Sequence, residues 1–385
     1  MKPLSRRAQG VRPSGIRQMM ERARQIPDVV HLEVGEPDAN TPDHIIQAAA
    51  EAARAGFTRY TPSAGLPSLR EALARKLSAQ NGLPTHADQV VVAPGSVFAL
   101  AAAMLATVDP DDEVLVPDPG WPNYTSALQV IGARIIPYPL PRQTGYLPDL
   151  PALRRLVTAR TKAMIVNSPS NPTGAVFPRE TVRALTDLAA ESDLYLIADE
   201  VYEEFVFEGE HVSPALFDPD GRVISVFGFS KTYAMTGWRL GYARAATAVA
   251  EMMTRLAEPF VSCPSSVAQK AAEAALAGPR TEVERMRKAY RRRRDLVVAI
   301  LEPEGLLASV PRGAFYALVD LSRIAMDSFA LAAQLLEEER VATVPGEAFG
   351  QSGAGLVRIS FAAEPRLLEE GCRRIVRFAT RRVGV

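Results

Sequence analysis

Leu194-Tyr195-Leu196-Ile197-Ala198-Asp199-Glu200-Val201-Tyr202 is an apolar run that stops at a carboxylate, with a tyrosine three residues beyond it. The run is apolar without alternation, the pattern of a strand buried on both faces. A carboxylate at the end of such a strand is costly to desolvate and needs a cation to meet it. Working outward, runs of similar character occupy residues 89–92, 113–117, 134–137, 162–167, 223–227 and 240–243, with helical patterns between them. Strands alternating with helices indicate βαβ units. Residues 89–244 are therefore predicted to form an α/β fold, a mainly parallel seven-stranded sheet flanked by helices.

The chain has 385 residues, beyond the size at which one hydrophobic core usually stops growing. After Ala277 the pattern changes to a long charged helix through Tyr290 and residues 291–294, followed by strands at 315–319 and 357–361. This predicts a smaller α+β domain. The N-terminal stretch, punctuated by Pro27, Pro37 and Pro42, is expected to pack with it. The expected division is a large domain at 44–280 and a small one made of 1–43 with 281–385.

Basic and acidic residues cancel at 44 each, so no global field attracts nucleic acid or an anionic membrane surface. No stretch approaches the roughly 18 apolar residues of a membrane span, and Met1–Gly10 lacks an apolar signal segment. Cys263 and Cys372 lie far apart without metal-ligand neighbours, which suits a reducing cytoplasm.

Four stretches place polar groups at strand ends, where open α/β sheets bind ligands. Val92-Ala93-Pro94-Gly95-Ser96-Val97 leads from a strand into a helix, whose free N–H groups and positive dipole end suit an anion. Asn167-Ser168-Pro169-Ser170-Asn171-Pro172-Thr173-Gly174 is a turn stiffened by prolines that presents Asn171 as a hydrogen-bond donor. Asp199 and Tyr202 end the strand quoted first. In Phe229-Ser230-Lys231 through Gly237-Trp238-Arg239, a lysine follows an apolar strand, where a partly desolvated amine suits Schiff-base chemistry, and Arg239 can clamp a phosphate. Each stretch taken alone also fits an ordinary turn or a surface charge.

Taken together, Ser168 to Gly174, Ala198-Asp199-Glu200-Val201-Tyr202 and Ser230-Lys231 with Gly237-Trp238-Arg239-Leu240-Gly241 resemble the class I/II aminotransferases of pyridoxal-5′-phosphate (PLP) fold type I. The resemblance extends over nearly the whole chain. It includes Gly35-Glu36-Pro37-Asp38, Tyr60-Thr61-Pro62, Gly313-Ala314-Phe315-Tyr316, Val344-Pro345-Gly346 and Arg358-Ile359-Ser360-Phe361.

The resemblance implies a transaminase that moves an amino group between an L-amino acid and a 2-oxo acid by a ping-pong mechanism. By the same resemblance Lys231 binds PLP covalently and shuttles the proton between the substrate carbon and the cofactor. Asp199 keeps the pyridine nitrogen protonated, Asn171 and Tyr202 bond the phenolic oxygen, and Trp121 stacks on the ring. Gly95, Ser96 and Val97 hold the phosphate, with Arg239 as counter-charge and Tyr60 reaching across from a second subunit of a homodimer. Relatives often carry Ser or Thr where this chain has Gly228, so Ser230 or a backbone group is expected to replace that phosphate ligand. Arg358 grips the substrate α-carboxylate, assisted by Gly35 and Asn171. Residues 12–17, Tyr60 and Tyr316 are candidates for shaping the side-chain pocket.

Two rivals share these features. A PLP-dependent C–S lyase would use the same cofactor residues, and a PLP-sensing regulator would bind ligand without turning it over. The complete α-carboxylate clamp favours transamination. A regulator is expected to carry a basic DNA-binding extension, and none precedes Gly35.

Overall fold

A computed structural model describes residues 2–11 and 13–383, apart from the side chains of Arg6 and Val383. In chain order the strands are β1 (Val30–His31), β2 (Val90–Ala93), β3 (Glu113–Asp118), β4 (Arg134–Pro139), β5 (Thr161–Asn167) and β6 (Tyr195–Asp199). They continue as β7 (Val223–Gly228), β8 (Gly241–Arg244), β9 (Tyr316–Asp320), β10 (Val341–Ala342), β11 (Val344–Pro345) and β12 (Leu356–Ser360). The seven strands predicted between residues 89 and 244 are all present, and no boundary moves by more than two residues. Each of the two strands predicted in the C-terminal part is displaced by one residue. The two-residue strands β1, β10 and β11 are too short to leave a periodic signal.

The main sheet has the order β2-β8-β7-β6-β5-β3-β4. Its strands are parallel except β8, which runs against β2 and β7. Residues along β6 alternate between two apolar layers. Ile197 packs with Ile224 and Val226 on one face, and Leu196 and Ala198 pack with Val223 on the other. Covering both faces explains the continuous apolar runs.

Strand order reverses between β3 and β5, because the chain leaves β3 toward β4 and leaves β5 toward β6. Such a switch point opens a crevice at the carboxyl ends of the strands. Trp121 follows β3 and Asn171 follows β5, so they stand on either side of it.

A second sheet, β11-β12-β9, is antiparallel, and β1 pairs with β10 in parallel. The N-terminal stretch continues along this sheet, with the Ser360 N–H donating to the Leu32 carbonyl at 2.6 Å. Met19, Ala23, Val30 and Leu32 share one apolar cluster with Leu331, Leu335, Val357, Ile359 and Phe378. The charged pattern around Tyr290 is a helix, Thr281–Leu301, that buries Tyr290 and Arg294. No described helix is long and apolar enough to cross a membrane.

Candidate active site

Asp199 is the last residue of β6 and is 4% exposed. Its Oδ2 accepts a hydrogen bond from the Tyr124 hydroxyl at 2.5 Å. Burial pushes its carboxyl up to about 6, against the opposing pull of the Tyr124 bond. A carboxyl in this state gains from any cation that enters beside it.

Lys231 lies in a single helical turn, Phe229–Thr232, that follows β7 directly. Its Nζ donates to the Gly35 carbonyl at 2.7 Å. Burial pulls the ammonium down to about 8, so at neutrality roughly a tenth of the amine is free to act as nucleophile or base, far more than for an exposed lysine. Gly35 approaches closely because it has no side chain: a Cβ there would sit 2.5 Å from the Tyr316 hydroxyl.

The turn after β5 is tied to the end of β6 by Asn167. Its Nδ2 donates to the Asp199 carbonyl at 2.9 Å, and its Oδ1 accepts from the Asn171 N–H at 2.8 Å. Asn171 is thereby held where its Oδ1 accepts from Arg358 Nη1 at 3.1 Å. Arg358, on β12, is 1% exposed, and its Nη2 donates to the Glu33 carbonyl at 2.6 Å. Its guanidinium lies over the Tyr316 ring at 4.3 Å and the Phe349 ring at 5.0 Å. Arginine has five N–H groups; these two bonds leave others free, and Nε has no partner. Tyr202 and Tyr316 share a hydroxyl–hydroxyl hydrogen bond at 2.9 Å. Burial raises the pKa of both, so both stay neutral and able to donate.

At the end of β2, Gly95 has φ 86° and ψ 153°, a conformation essentially reserved for glycine. It precedes the helix Ser96–Thr107. A Cβ on Gly95 would lie 2.5 Å from Arg239 Nη2, so the glycine lets the guanidinium lie against the helix start. Arg239 stands just before β8, whose Gly241 pairs with both Ala93 and Gly228. The Ser96 hydroxyl donates to the Phe227 carbonyl at 2.8 Å and occupies the space a side chain on Gly228 would need.

One cavity of about 480 Å³ gathers most of the predicted residues: Gly35, Ser96, Val97, Trp121, Asn171, Asp199, Tyr202, Ser230, Lys231, Arg239 and Arg358. Gly95 borders it through Arg239. Tyr60 does not reach the cavity of its own chain and is 89% exposed. Arg17 and Tyr316 line the cavity, whereas Arg12 falls outside the described residues. Tyr124 and Asn167 were not singled out from the sequence. Tyr124 lies three residues after Trp121 in the first turn of Pro122–Ile131, a spacing that puts both side chains on one side. Asn167 ends its strand in the same manner as Asp199. Among the described residues no cluster of His, Cys, Asp and Glu could hold a metal.

The residues fit PLP. The buried Asp199 carboxyl lacks the cation that a protonated pyridine nitrogen would supply, Lys231 offers a partly neutral amine, and the Gly95 turn with Arg239 forms an anion cradle. Fold and site together define a PLP-dependent aminotransferase. A family model described as aminotransferase class I and II matches residues 27–375, and the chain belongs to this family. It is 42% identical to the aspartate/prephenate aminotransferase of Thermus thermophilus, over 98% of this chain and 99% of that one. It is 38% identical to an arginine–pyruvate transaminase of Pseudomonas aeruginosa, over 95% and 93%. Among solved structures, the Thermus thermophilus aspartate aminotransferase with maleate superposes with a TM-score of 0.94 at 42% identity, covering 98% of this chain and 100% of that one.

Proposed function

We propose that this transaminase divides its work between Lys231 and Asp199 on the cofactor and Arg358 on the substrate. The observation carrying the reading is that all three, from distant parts of the chain, line one cavity. When bound, PLP supplies the electron sink that stabilises negative charge at the substrate α-carbon. Lys231 would hold the cofactor covalently and, when released, its amine would be the base that takes and returns the proton of the substrate α-carbon. Asp199 holds a proton on the ring nitrogen, with Tyr124 fixing the orientation of the carboxylate. Tyr202 and Asn171 would hold the cofactor at its phenolic oxygen, and Trp121 would pack against it. Ser96, Val97, Ser230 and the Gly95 turn hold the phosphate with Arg239. Arg358 forks onto the α-carboxylate through N–H groups not engaged by Asn171 and Glu33.

The same reading groups residues 44–280 as the cofactor domain and residues 1–43 with 281–385 as the small domain, supported by the N-terminal and C-terminal residues that share an apolar cluster. Tyr60, exposed in the single chain, is assigned to the phosphate site of a partner subunit in a homodimer. The two unpaired cysteines support a cytoplasmic location.

Borohydride reduction of the PLP-loaded protein, followed by peptide mapping, tests the anchor. Label is expected on Lys231, and label on another lysine would refute the assignment. For cofactor added to PLP-free protein, the attachment rate is expected to rise about tenfold per pH unit below about 8, as the Lys231 amine loses its proton, and to level off above it.

A further inference from the structure

Asp199 ends β6 and Glu200 follows it, still bonded to β7 through its N–H to the Val226 carbonyl, and the extended backbone sends the two side chains to opposite faces of the sheet. Asp199 meets Tyr124 on the face of Ile197 and Val226 and opens on the active-site cavity. Glu200 is 2% exposed on the reverse face, the side of Leu196 and Ala198, and the roles proposed above make no use of it.

Glu200 is held from three sides. Its Oε1 accepts from the Ser213 hydroxyl at 2.9 Å, its Oε2 meets His211 Nε2 at 2.8 Å, and its N–H donates to the Val226 carbonyl at 2.8 Å. Ser213 lies 3.4 Å from the Ser225 hydroxyl of β7. Behind this group is a polar cavity of about 360 Å³, lined by Asn81, Glu203, Glu204, His211, Ser213 and Arg280. The Nδ1 atom of His211 is buried without a partner.

The other charged or titratable groups nearby are largely paired. Lys76 bridges Glu203 at 2.6 Å, Arg280 bridges Glu204, and Tyr242 from β8 stays neutral because burial raises its pKa. Burial pulls the His211 imidazole down, but the bond to Glu200 and the charges of Glu200 and Glu203 outweigh it and raise the pKa overall. Across the strand, the charge on Glu200 adds to burial in raising Asp199.

A carboxylate this deeply buried is costly unless it is bonded, and one partner removed leaves the penalty uncompensated. Hydrophobic residues would fill the same space at lower cost. The adjacency to Asp199 gives the arrangement a use.

We propose that Glu200, clamped by His211 and Ser213, is a positioning residue for Asp199. From the reverse face it fixes the strand end that carries Asp199, and it adds negative charge behind the carboxylate that meets the cofactor's ring nitrogen. The proposal rests on the role given to Asp199 above.

The test is the ¹⁵N resonance of the holoenzyme reconstituted with PLP labelled at the ring nitrogen, read beside steady-state kinetics. In Glu200→Gln the resonance is expected to move toward the unprotonated position, with kcat down about tenfold and KM for the amino acid within about twofold. His211→Gln removes a group able to carry positive charge and leaves the charge of Glu200, so its resonance should stay in place or move toward the protonated position. Asp199→Ala should give the fully unprotonated position; if it does not, the role of Asp199 itself fails, whatever Glu200 does. If Asp199→Ala behaves as expected and Glu200→Gln leaves the resonance unmoved, the positioning role is wrong. A loss of melting temperature in Glu200→Gln without a spectral change would mark Glu200 as structural only. Should Glu200→Gln not fold, His211→Gln decides: a resonance displaced toward the unprotonated position overturns the proposal.

Discussion

The two ends of the active site are built differently. At the end proposed for the cofactor, Gly95, Trp121, Asn171, Asp199, Tyr202, Lys231 and Arg239 all stand within a few residues of strand ends in one sheet, which hydrogen bonding and two apolar layers make stiff. At the carboxylate end, Arg358 comes from the second sheet and meets the Glu33 carbonyl 325 residues away in the chain. Tyr316 likewise comes from β9 and meets Tyr202 after β6. The cofactor end is therefore fixed by the fold of one sheet. The carboxylate end exists only when the second sheet and the N-terminal stretch are docked against it. Lesions at the two ends should separate: one set should alter chemistry and cofactor retention, the other substrate binding.

The largest expected effect belongs to Asp199→Ala. Among the described residues it removes the only carboxylate lining the cavity, and it leaves Lys231, Arg239 and the helix start in place. A charge-assisted hydrogen bond is worth about 1.5 to 3 kcal/mol, and its loss where negative charge develops should reach further. kcat should fall by roughly two or more orders of magnitude, while the substrate still binds. Exchange of the α-hydrogen with solvent, followed by NMR, should slow as much as turnover does. If exchange stays fast while turnover falls, Asp199 acts after proton removal and the division of labour proposed here is wrong.

Arg358→Lys probes the other end. Lysine keeps the charge but loses the planar fork, and the bonds to Asn171 and Glu33 cannot both be kept. KM for the amino acid and for the 2-oxo acid should rise together by about 10- to 100-fold, with PLP retained. Equal loss of PLP would show that the two ends are not separable and that Arg358 supports the cofactor region.

The same contrast governs what could be read from the sequence. The main sheet was legible because strands covered on both faces are continuous apolar runs, and Asn171, Asp199 and Lys231 drew notice because each follows such a run within a short motif, whereas Trp121 entered only through the family resemblance. Tyr124 escaped because its side chain matters through a partner 75 residues away, which no local spacing encodes. Asn167 escaped because its two amide bonds join a turn to a neighbouring strand. The grouping of Arg358 with Gly35 and Asn171 was reached only through family resemblance, and the bond of Arg358 to the Glu33 carbonyl was not foreseen at all, since pairings across hundreds of residues leave no periodic trace. Ser96 filling the space beside Gly228 is a compensation between residues 132 apart, 228 less 96, and it became visible only in three dimensions.

Gly95→Ala carries the smallest expected effect and sharpens the comparison from the cofactor side. Alanine at φ 86° and ψ 153° is strained, at about 1 to 3 kcal/mol for a residue held in such a region. Its Cβ would lie 2.5 Å from Arg239 Nη2. The atom it meets is the end of a flexible side chain, so the clash is relieved by moving Arg239 away from the helix start rather than by unfolding the turn. The helix N–H groups remain, and the phosphate site loses only part of its charge. PLP affinity, measured by titrating the cofactor-free protein, should therefore weaken by about tenfold, while kcat and amino-acid KM at saturating cofactor change by less than about threefold. Arg358→Lys should do the reverse, changing KM with PLP affinity intact. If Gly95→Ala instead raises the amino-acid KM while PLP binds normally, the Gly95 turn and Arg239 face the substrate, and the phosphate must be held elsewhere in the cavity.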